Sequence, residues 1–409
     1  MSEKLDDRVS ASHEVTRTVF AKKKILPQAA QICPWVEVSY RTADSRATEE
    51  TRALFARLQA AASADAILFG HQNAGHIGVS IERRDGTDSD ILRICGRHPS
   101  VVGIDALSLL GFEGDFDQTV EVTKALHRQG VILTFSMHAP NFAVCDADLG
   151  GYSPNVTEPQ IAEDCLPGGL YHERFRAYLD RIADYALLAV DDDGHPIPMI
   201  FRPFHEDNGS WFWWGAAYTT PALYRELFRY TLHYLREEKG IHQFLYAYSP
   251  NGPVADEADY LSRYPGDDAI DIVGFDMYHD RPTAGDAWIE TLVATCRIVA
   301  AIARDRKKVA AVTEAGLRML DTAADGKYYE GLAPIGNPRP DWFNECADAI
   351  LRDPLARRVA YFLVWANFSR KQFWVPYLTD ENHGHEMIDP FTRFLNRPDV
   401  LLAGEILTR

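Results

Sequence analysis

The chain is 409 residues long and 46% hydrophobic, and its 42 basic and 59 acidic residues give a formal charge of −17. That size and apolar content suit one large globular fold, and the acidic balance argues against nucleic acid and anionic membrane surfaces as partners. No basic stripe with interleaved aromatics occurs, and no apolar run reaches the ~18 residues of a membrane span. Cys33, Cys95, Cys145, Cys165, Cys296 and Cys346 form no Cys-x-x-Cys pair, so they read as buried thiols and not as a zinc framework. Residues 1–8 are charged and lack the apolar core of a signal peptide, so a cytoplasmic location is expected for the chain as written.

Short β-rich apolar runs recur at residues 67–71, 101–106, 131–138, 199–206, 244–249, 272–278, 309–314 and 359–367. Apolar runs without alternation imply strands buried on both faces, the mark of a parallel sheet. The intervening segments read as helices. After Tyr171, Phe175, Tyr178, Leu179, Ile182 and Tyr185 follow a spacing near 3.6. Thr220-Pro221 supplies an N-cap and a first-turn proline for a helix carrying Leu223, Leu227, Phe228 and Leu235, with Gly240 as its stop. Eight strand–helix alternations predict an α/β fold, a (β/α)8 TIM barrel in a single domain, with a doubly wound sheet as the alternative. Residues 1–45 are expected to form an N-terminal extension packed on the barrel, and residues 46–409 the catalytic barrel.

In such a barrel the site is built at the C-terminal ends of the strands. Polar residues cluster there: His71-Gln72-Asn73, His138, Arg202 with His205 and Glu206, Tyr248-Ser249-Pro250-Asn251, Asp276 with Tyr278, Glu314, and Trp365 with Asn367. The densest stretch is Arg202-Pro-Phe-His-Glu-Asp-Asn-Gly-Ser-Trp-Phe-Trp-Trp-Gly. A carboxylate, an imidazole and a guanidinium beside flat aromatic faces equip a protein to grip a sugar and cleave its glycosidic bond. Tryptophans usually belong to the core, but a core patch does not explain Arg, His and Glu within five positions.

Glu206 and Glu314 each end an apolar run, where burial is costly unless the carboxylate is paired or hydrogen-bonded. Either alone could be a structural ion pair. Together at one barrel mouth they suggest the carboxyl pair of acetal cleavage, which in retaining enzymes stands about 5–5.5 Å apart. Glu206 adjoins His205 and the aromatic cluster, where desolvation would favour its acid form. Glu314 could be kept ionised by Arg202 and oriented by Tyr278.

The Arg202–Gly215 motif resembles the signature of glycoside hydrolase family 26. Supporting matches are Gly70-His71-Gln72, His138, Tyr248-Ser249-Pro250-Asn251, Gly274-Phe275-Asp276-Met277-Tyr278, Thr313-Glu314 and Trp365, and the similarity runs from about residue 65 to residue 396. The resemblance implies a retaining (β/α)8 hydrolase with no metal or organic cofactor, typically an endo-β-1,4-mannanase, whose partner is β-mannan or a manno-oligosaccharide. It implies Glu206 as acid/base and Glu314 as nucleophile. His205 would bind and tune the reacting sugar, and Arg202 and Tyr278 would support the nucleophile. His71, His138, Trp211 and Trp365 would line the sugar subsites.

One departure concerns the first strand's loop, His71-Gln72-Asn73-Ala74-Gly75-His76, which lacks the acidic residues common there in the family. Exo action or an oligosaccharide preference is therefore the alternative to endo action, and β-1,3-xylan and mixed-linkage β-glucan are alternative substrates. His71, His76, His138 and His205 show no helix-borne ligand spacing, which argues against a metal. His383-Gly-His385-Glu386 reads as a solvated loop at the cleft edge, and Tyr329, Trp342 and Phe343 as core or loop packing. A sugar-binding barrel without catalysis is the rival from another class; retention of both glutamates speaks against it.

Overall fold

Eight parallel strands close on themselves in the computed structural model of the chain, which describes residues 40–145, 155–323, 325–378 and 385–405. They are β1 (Ile67–Gln72), β2 (Val101–Asp105), β3 (Ile132–Met137), β4 (Met199–Pro203), β5 (Phe244–Tyr248), β6 (Ile272–Asp280), β7 (Val309–Arg318) and β8 (Val359–Val364). Each pairs with the next, and β8 pairs with β1 to complete the ring. All eight expected runs are barrel strands, so the (β/α)8 architecture holds and the doubly wound sheet does not.

The strands bury both faces because their residues alternate between two apolar clusters. Phe69, Val102, Leu133, Phe201, Tyr246, Val273 and Val312 join the cluster that contains the helix residues Leu126, Phe175, Leu227 and Val299. Leu68, Val101, Ile132, Ile200, Leu245, Ile272 and Ala311 form a second cluster with Leu54, Phe55 and Leu58. The first is the outer layer between strands and helices; the second is the barrel interior. Leu54, Phe55 and Leu58 belong to α1 (Glu49–Ser63), capped by Thr48, whose side chain accepts from the Thr51 N–H. The interior residues that share their cluster include the opening residues of four strands, Val101, Ile132, Ile272 and Val309, so α1 plugs the N-terminal end. Polar chemistry is left to the opposite end.

The two helices anticipated in detail are present. One spans His172–Leu188; the other spans Pro221–His233, with Thr220 accepting from the Leu223 N–H, and a π-turn over Tyr234–Glu238 carries it on toward Gly240 at φ 68°. Among the described residues no helix is long and apolar enough to cross a membrane. Most of the expected N-terminal extension, residues 1–39, lies outside the described residues. The remainder touches the barrel: the Ala43 N–H donates to Asp271 Oδ1 at 2.6 Å, and Asp44 Oδ2 meets His242 Nδ1 at 2.7 Å.

Two small features escaped sequence reasoning, a parallel strand at Val400–Leu401 beside β1 and a hairpin pairing Asp321–Thr322 with Tyr328–Tyr329. Two residues of sheet offer too little pattern to read. Tyr329, Trp342 and Phe343 are core, as expected. The expected solvated loop at residues 383–386 needs correction. Residues 383 and 384 lie outside the described set, but His385 is buried, because the rings of Phe373 (5.3 Å) and Tyr377 (6.5 Å) shield it.

Candidate active site

Interior-facing positions at the C-terminal ends of the strands carry charge where the lower layers carry Leu and Ile. Arg202 lies two residues beyond Ile200 on β4, on the same face, and is 1% exposed. Its Nη1 donates to Asp276 Oδ2 and its Nη2 to Glu314 Oε2, both at 2.6 Å, and Nη1 also reaches Ser249 Oγ at 3.3 Å. One guanidinium thus bridges carboxylates from β6 and β7, the fork geometry that suits arginine.

Glu314 faces inward because β7 is bulged. Phe275 pairs with Val312 and Asp276 with Glu314, so Thr313 is an extra residue on β7. The neighbouring strand shows the same slip, with Phe362 opposite Val312 and Val364 opposite Ala315. A bulge re-aims the side chain that follows it. Thr313 fills the interior space itself, donating to Asp276 Oδ1 at 2.7 Å. That space exists because position 274 is glycine: a Cβ there would lie 2.4 Å from Thr313 Cγ2. The second Glu314 oxygen accepts from the Tyr278 hydroxyl at 2.6 Å, and the Arg318 guanidinium lies 4.0 Å over the Tyr278 ring.

Glu206 is presented differently. The expected strand 199–206 stops at Pro203, and an irregular turn carries Phe204, His205 and Glu206. Phe204 (φ 50°) and Glu206 (φ 53°) occupy the left-handed region, which costs a non-glycine residue on the order of 1 kcal/mol or more and persists only where the surroundings enforce it. Here the Tyr224 hydroxyl donates to the Phe204 carbonyl at 3.0 Å, Trp214 Nε1 to the His205 carbonyl at 2.8 Å, and the Glu206 N–H to the Ser249 carbonyl at 2.8 Å. Trp211 Nε1 donates to Glu206 Oε2 at 2.6 Å while 38% of that indole remains exposed. Burial, then the charge of Glu314, push the Glu206 carboxyl up to about 7, against the pull of the Trp211 bond.

The two histidines beside it are tuned in opposite directions. Burial opposes charging His138, but the charge of Asp105 and its 2.7 Å bond to Nδ1, with Glu314 and Glu113 beyond, outweigh burial and raise its pKa. Burial, reinforced by the charges of Arg202 and His138, holds His205 well below the usual imidazole range. Their rings meet edge to face at 4.5 Å, and Phe212 (5.4 Å) and Trp365 (5.8 Å) continue the wall around His138. Trp365 is tied to the carboxylate side of the site, since its N–H donates to the Ala315 carbonyl at 2.9 Å.

The structure therefore brings together Arg202, His205, Glu206, Trp211, Tyr278, Glu314, His138 and Trp365. His71, on β1, is 0% exposed, and burial, opposed by Asp90, Asn367 and the Trp365 backbone, lowers its pKa to about 4. Sequence reasoning passed over Asp105, although it ends an apolar run just as Glu206 and Glu314 do. It also passed over Phe212, hidden among three tryptophans, and Glu113, a loop residue that accepts from Asn73 Nδ2 at 2.8 Å. Among the described residues, a trio of His and carboxylate groups close enough to share an ion occurs at Asp191, Asp193 and His195, away from this cluster and largely exposed.

The sequence profile described as Glycosyl hydrolase family 26 matches residues 43–324. The chain belongs to glycosyl hydrolase family 26. A mannan endo-1,4-beta-mannosidase of Bifidobacterium adolescentis is 38% identical over 343 residues, 81% of this chain and 32% of that protein. A mannan endo-1,4-beta-mannosidase of Bacillus subtilis is 28% identical over 194 residues, 45% of this chain and 51% of that protein. The chain thus spans about a third to a half of the length of these relatives. Among solved structures, the catalytic domain of a family 26 endo-beta-1,4-mannanase from Bacillus sp. JAMB-750 superposes with a TM-score of 0.81 at 36% identity, covering 89% of this chain and 94% of that one. A modular endo-beta-1,4-mannanase from Cellulomonas fimi gives 0.79 at 36% identity, covering 90% and 78%.

Proposed function

We propose that the protein is a retaining, endo-acting β-1,4-mannanase that hydrolyses β-mannan or manno-oligosaccharides, with Glu206 as acid/base and Glu314 as nucleophile. The observation that carries the proposal is the divergence of two carboxyls in one cleft. Glu206 is buried among aromatics and held up to about 7, while both oxygens of Glu314 accept strong hydrogen bonds from Arg202 and Tyr278. A carboxyl denied solvation suits the proton donor, and one held by fixed donors suits the nucleophile. The family membership and the names of the relatives supply the sugar.

In the first step the Glu206 proton passes to the glycosidic oxygen as the C1–O bond breaks, and Glu314 bonds to C1 from the opposite face. Arg202 stays at the departing charge of Glu314, and the Tyr278 hydroxyl holds the other oxygen for attack. In the second step the Glu206 carboxylate takes a proton from water, the water oxygen bonds to C1, and Glu314 leaves as the carboxylate. The β configuration is restored. His138 and His205 offer ring nitrogens to sugar hydroxyls, and Trp211, Phe212 and Trp365 offer apolar faces for the ring.

A product profile on mannan, manno-oligosaccharides, β-1,3-xylan and mixed-linkage β-glucan tests the substrate and the mode together. Early release of a ladder of manno-oligosaccharides supports endo-mannanase action. Accumulation of one short product from the outset contradicts endo action, and preference for xylan or glucan contradicts the substrate. Proton NMR should show the β-anomer first; an initial α-anomer rules out retention.

A further inference from the structure

The turn that presents Glu206 is gripped from behind by a side chain on a different barrel loop. Arg263 follows the short helix Glu257–Leu261 between β5 and β6 and is 4% exposed. Its Nε donates to Asp207 Oδ2 at 2.8 Å, its Nη1 to the Thr219 carbonyl at 2.9 Å, and its Nη2 to the Thr219 hydroxyl at 2.6 Å and the Trp214 carbonyl at 3.4 Å. The guanidinium also lies 4.8 Å over the ring of Tyr224, whose hydroxyl holds the Phe204 carbonyl. One side chain therefore fixes the chain just before Glu206, just after it, and at the far end of the tryptophan segment.

Asp207 is 0% exposed and directly follows the acid/base. A buried Arg–Asp pair is a poor source of stability, since apolar residues of similar volume often do as well or better. Its directional bonds can do what apolar packing cannot: hold two left-handed residues at one geometry.

We infer that Arg263, acting through Asp207, is a positioning residue that aims the Glu206 carboxyl for proton donation. The inference rests on Glu206 being the acid/base. A proton donor displaced by a fraction of an ångström matters most when the leaving oxygen is a poor leaving group and least when it needs no proton.

The test measures kcat/KM, which reports the first chemical step, for Arg263→Lys, Arg263→Ala, Asp207→Asn and Glu206→Ala. Substrates are a manno-oligosaccharide and a series of aryl β-mannobiosides whose phenols span a wide range of acidity. Arg263→Lys and Asp207→Asn should lose about 100-fold on the oligosaccharide and no more than about 3-fold on the dinitrophenyl glycoside, with a steeper dependence on phenol acidity. Glu206→Ala should show the same signature at larger amplitude. A loss equal across all leaving groups, or no loss, in folded Arg263→Lys and Asp207→Asn overturns the inference while leaving Glu206 in place. A Glu206→Ala variant without leaving-group dependence overturns the acid/base reading and the inference with it. Near-UV circular dichroism establishes folding, and the two conservative variants carry the test if Arg263→Ala does not fold.

Discussion

Glu206 and Glu314 are the same amino acid at the same end of one barrel, yet the protein builds them by opposite means. Glu314 lies inside a paired strand, is turned inward by one extra residue, and has a donor on each oxygen. Glu206 lies beyond its strand on a left-handed turn, among aromatic rings, with Trp211 donating to one oxygen. The first environment solvates a negative charge with fixed donors; the second withholds solvation. The difference teaches that a carboxyl's role is written in what replaces its water, not in the residue itself.

Removing each carboxyl breaks the comparison most sharply. Glu314→Ala should lower kcat by about 10⁴-fold or more on every substrate, activated aryl mannosides included, because no bond to C1 can form. Glu206→Ala should lose about 10²–10⁴-fold on natural substrates yet keep the first step on activated ones, seen as a burst of phenol in stopped flow. Equal losses on activated substrates would make the two residues interchangeable and the assignment wrong.

Arg202→Met removes the bridge on the Glu314 side and strands two buried carboxylates. Urea denaturation at pH 7 should show a loss of about 3–5 kcal/mol, with near-complete loss of activity. Tyr278→Phe removes one charge-assisted bond from Glu314 and nothing from Glu206. A bond of about 1.5–3 kcal/mol corresponds to roughly 10–100-fold in kcat. An unchanged kcat would mean that Arg202 alone orients the nucleophile.

The pH dependence sharpens the Glu206 side. With its carboxyl held at about 7, kcat/KM should fall with rising pH above neutrality. The same shift has a stability consequence of definite sign. The folded state keeps a proton that the unfolded chain releases near pH 4.3. Stability from this group is therefore lost as pH rises from there through about 7. Glu206→Gln should relieve that loss and stabilise the protein by about 3–4 kcal/mol at pH 8 and by little at pH 4, measured by thermal denaturation at both. The smallest effect is expected for Trp211→Phe. It deletes a bond that lowers the Glu206 pKa, so the alkaline limb of kcat/KM should move upward, by less than about one pH unit.

The barrel was legible because each strand is buried on both faces and so stays apolar from end to end. The ends were less legible. β4 was expected to reach Glu206 and stops at Pro203; β6 and β7 run on to Asp280 and Arg318 because they continue to pair with each other. The site was legible where polarity interrupts an apolar run, as at Arg202, Glu206 and Glu314. It was not legible where a residue works through neighbours distant in sequence. Arg263 and Asp207 meet across 56 positions, and nothing local distinguishes that arginine from the exposed ones.

The bulge at Thr313 gives β7 a parity. Val312 faces the outer layer and Ala311 the interior, so strict alternation would send position 314 outward. One inserted residue reverses that phase, and Ala315 accordingly returns to the outer layer. Deleting Thr313 would restore strict alternation with the glutamate still inward, two residues after Ala311, but would take away the hydroxyl that bonds Asp276; closing the bulge with Thr313 kept would instead turn the nucleophile into the outer layer. The compartment of the nucleophile thus depends on keeping one residue out of register, and Gly274 on the adjoining strand is the space that admits it.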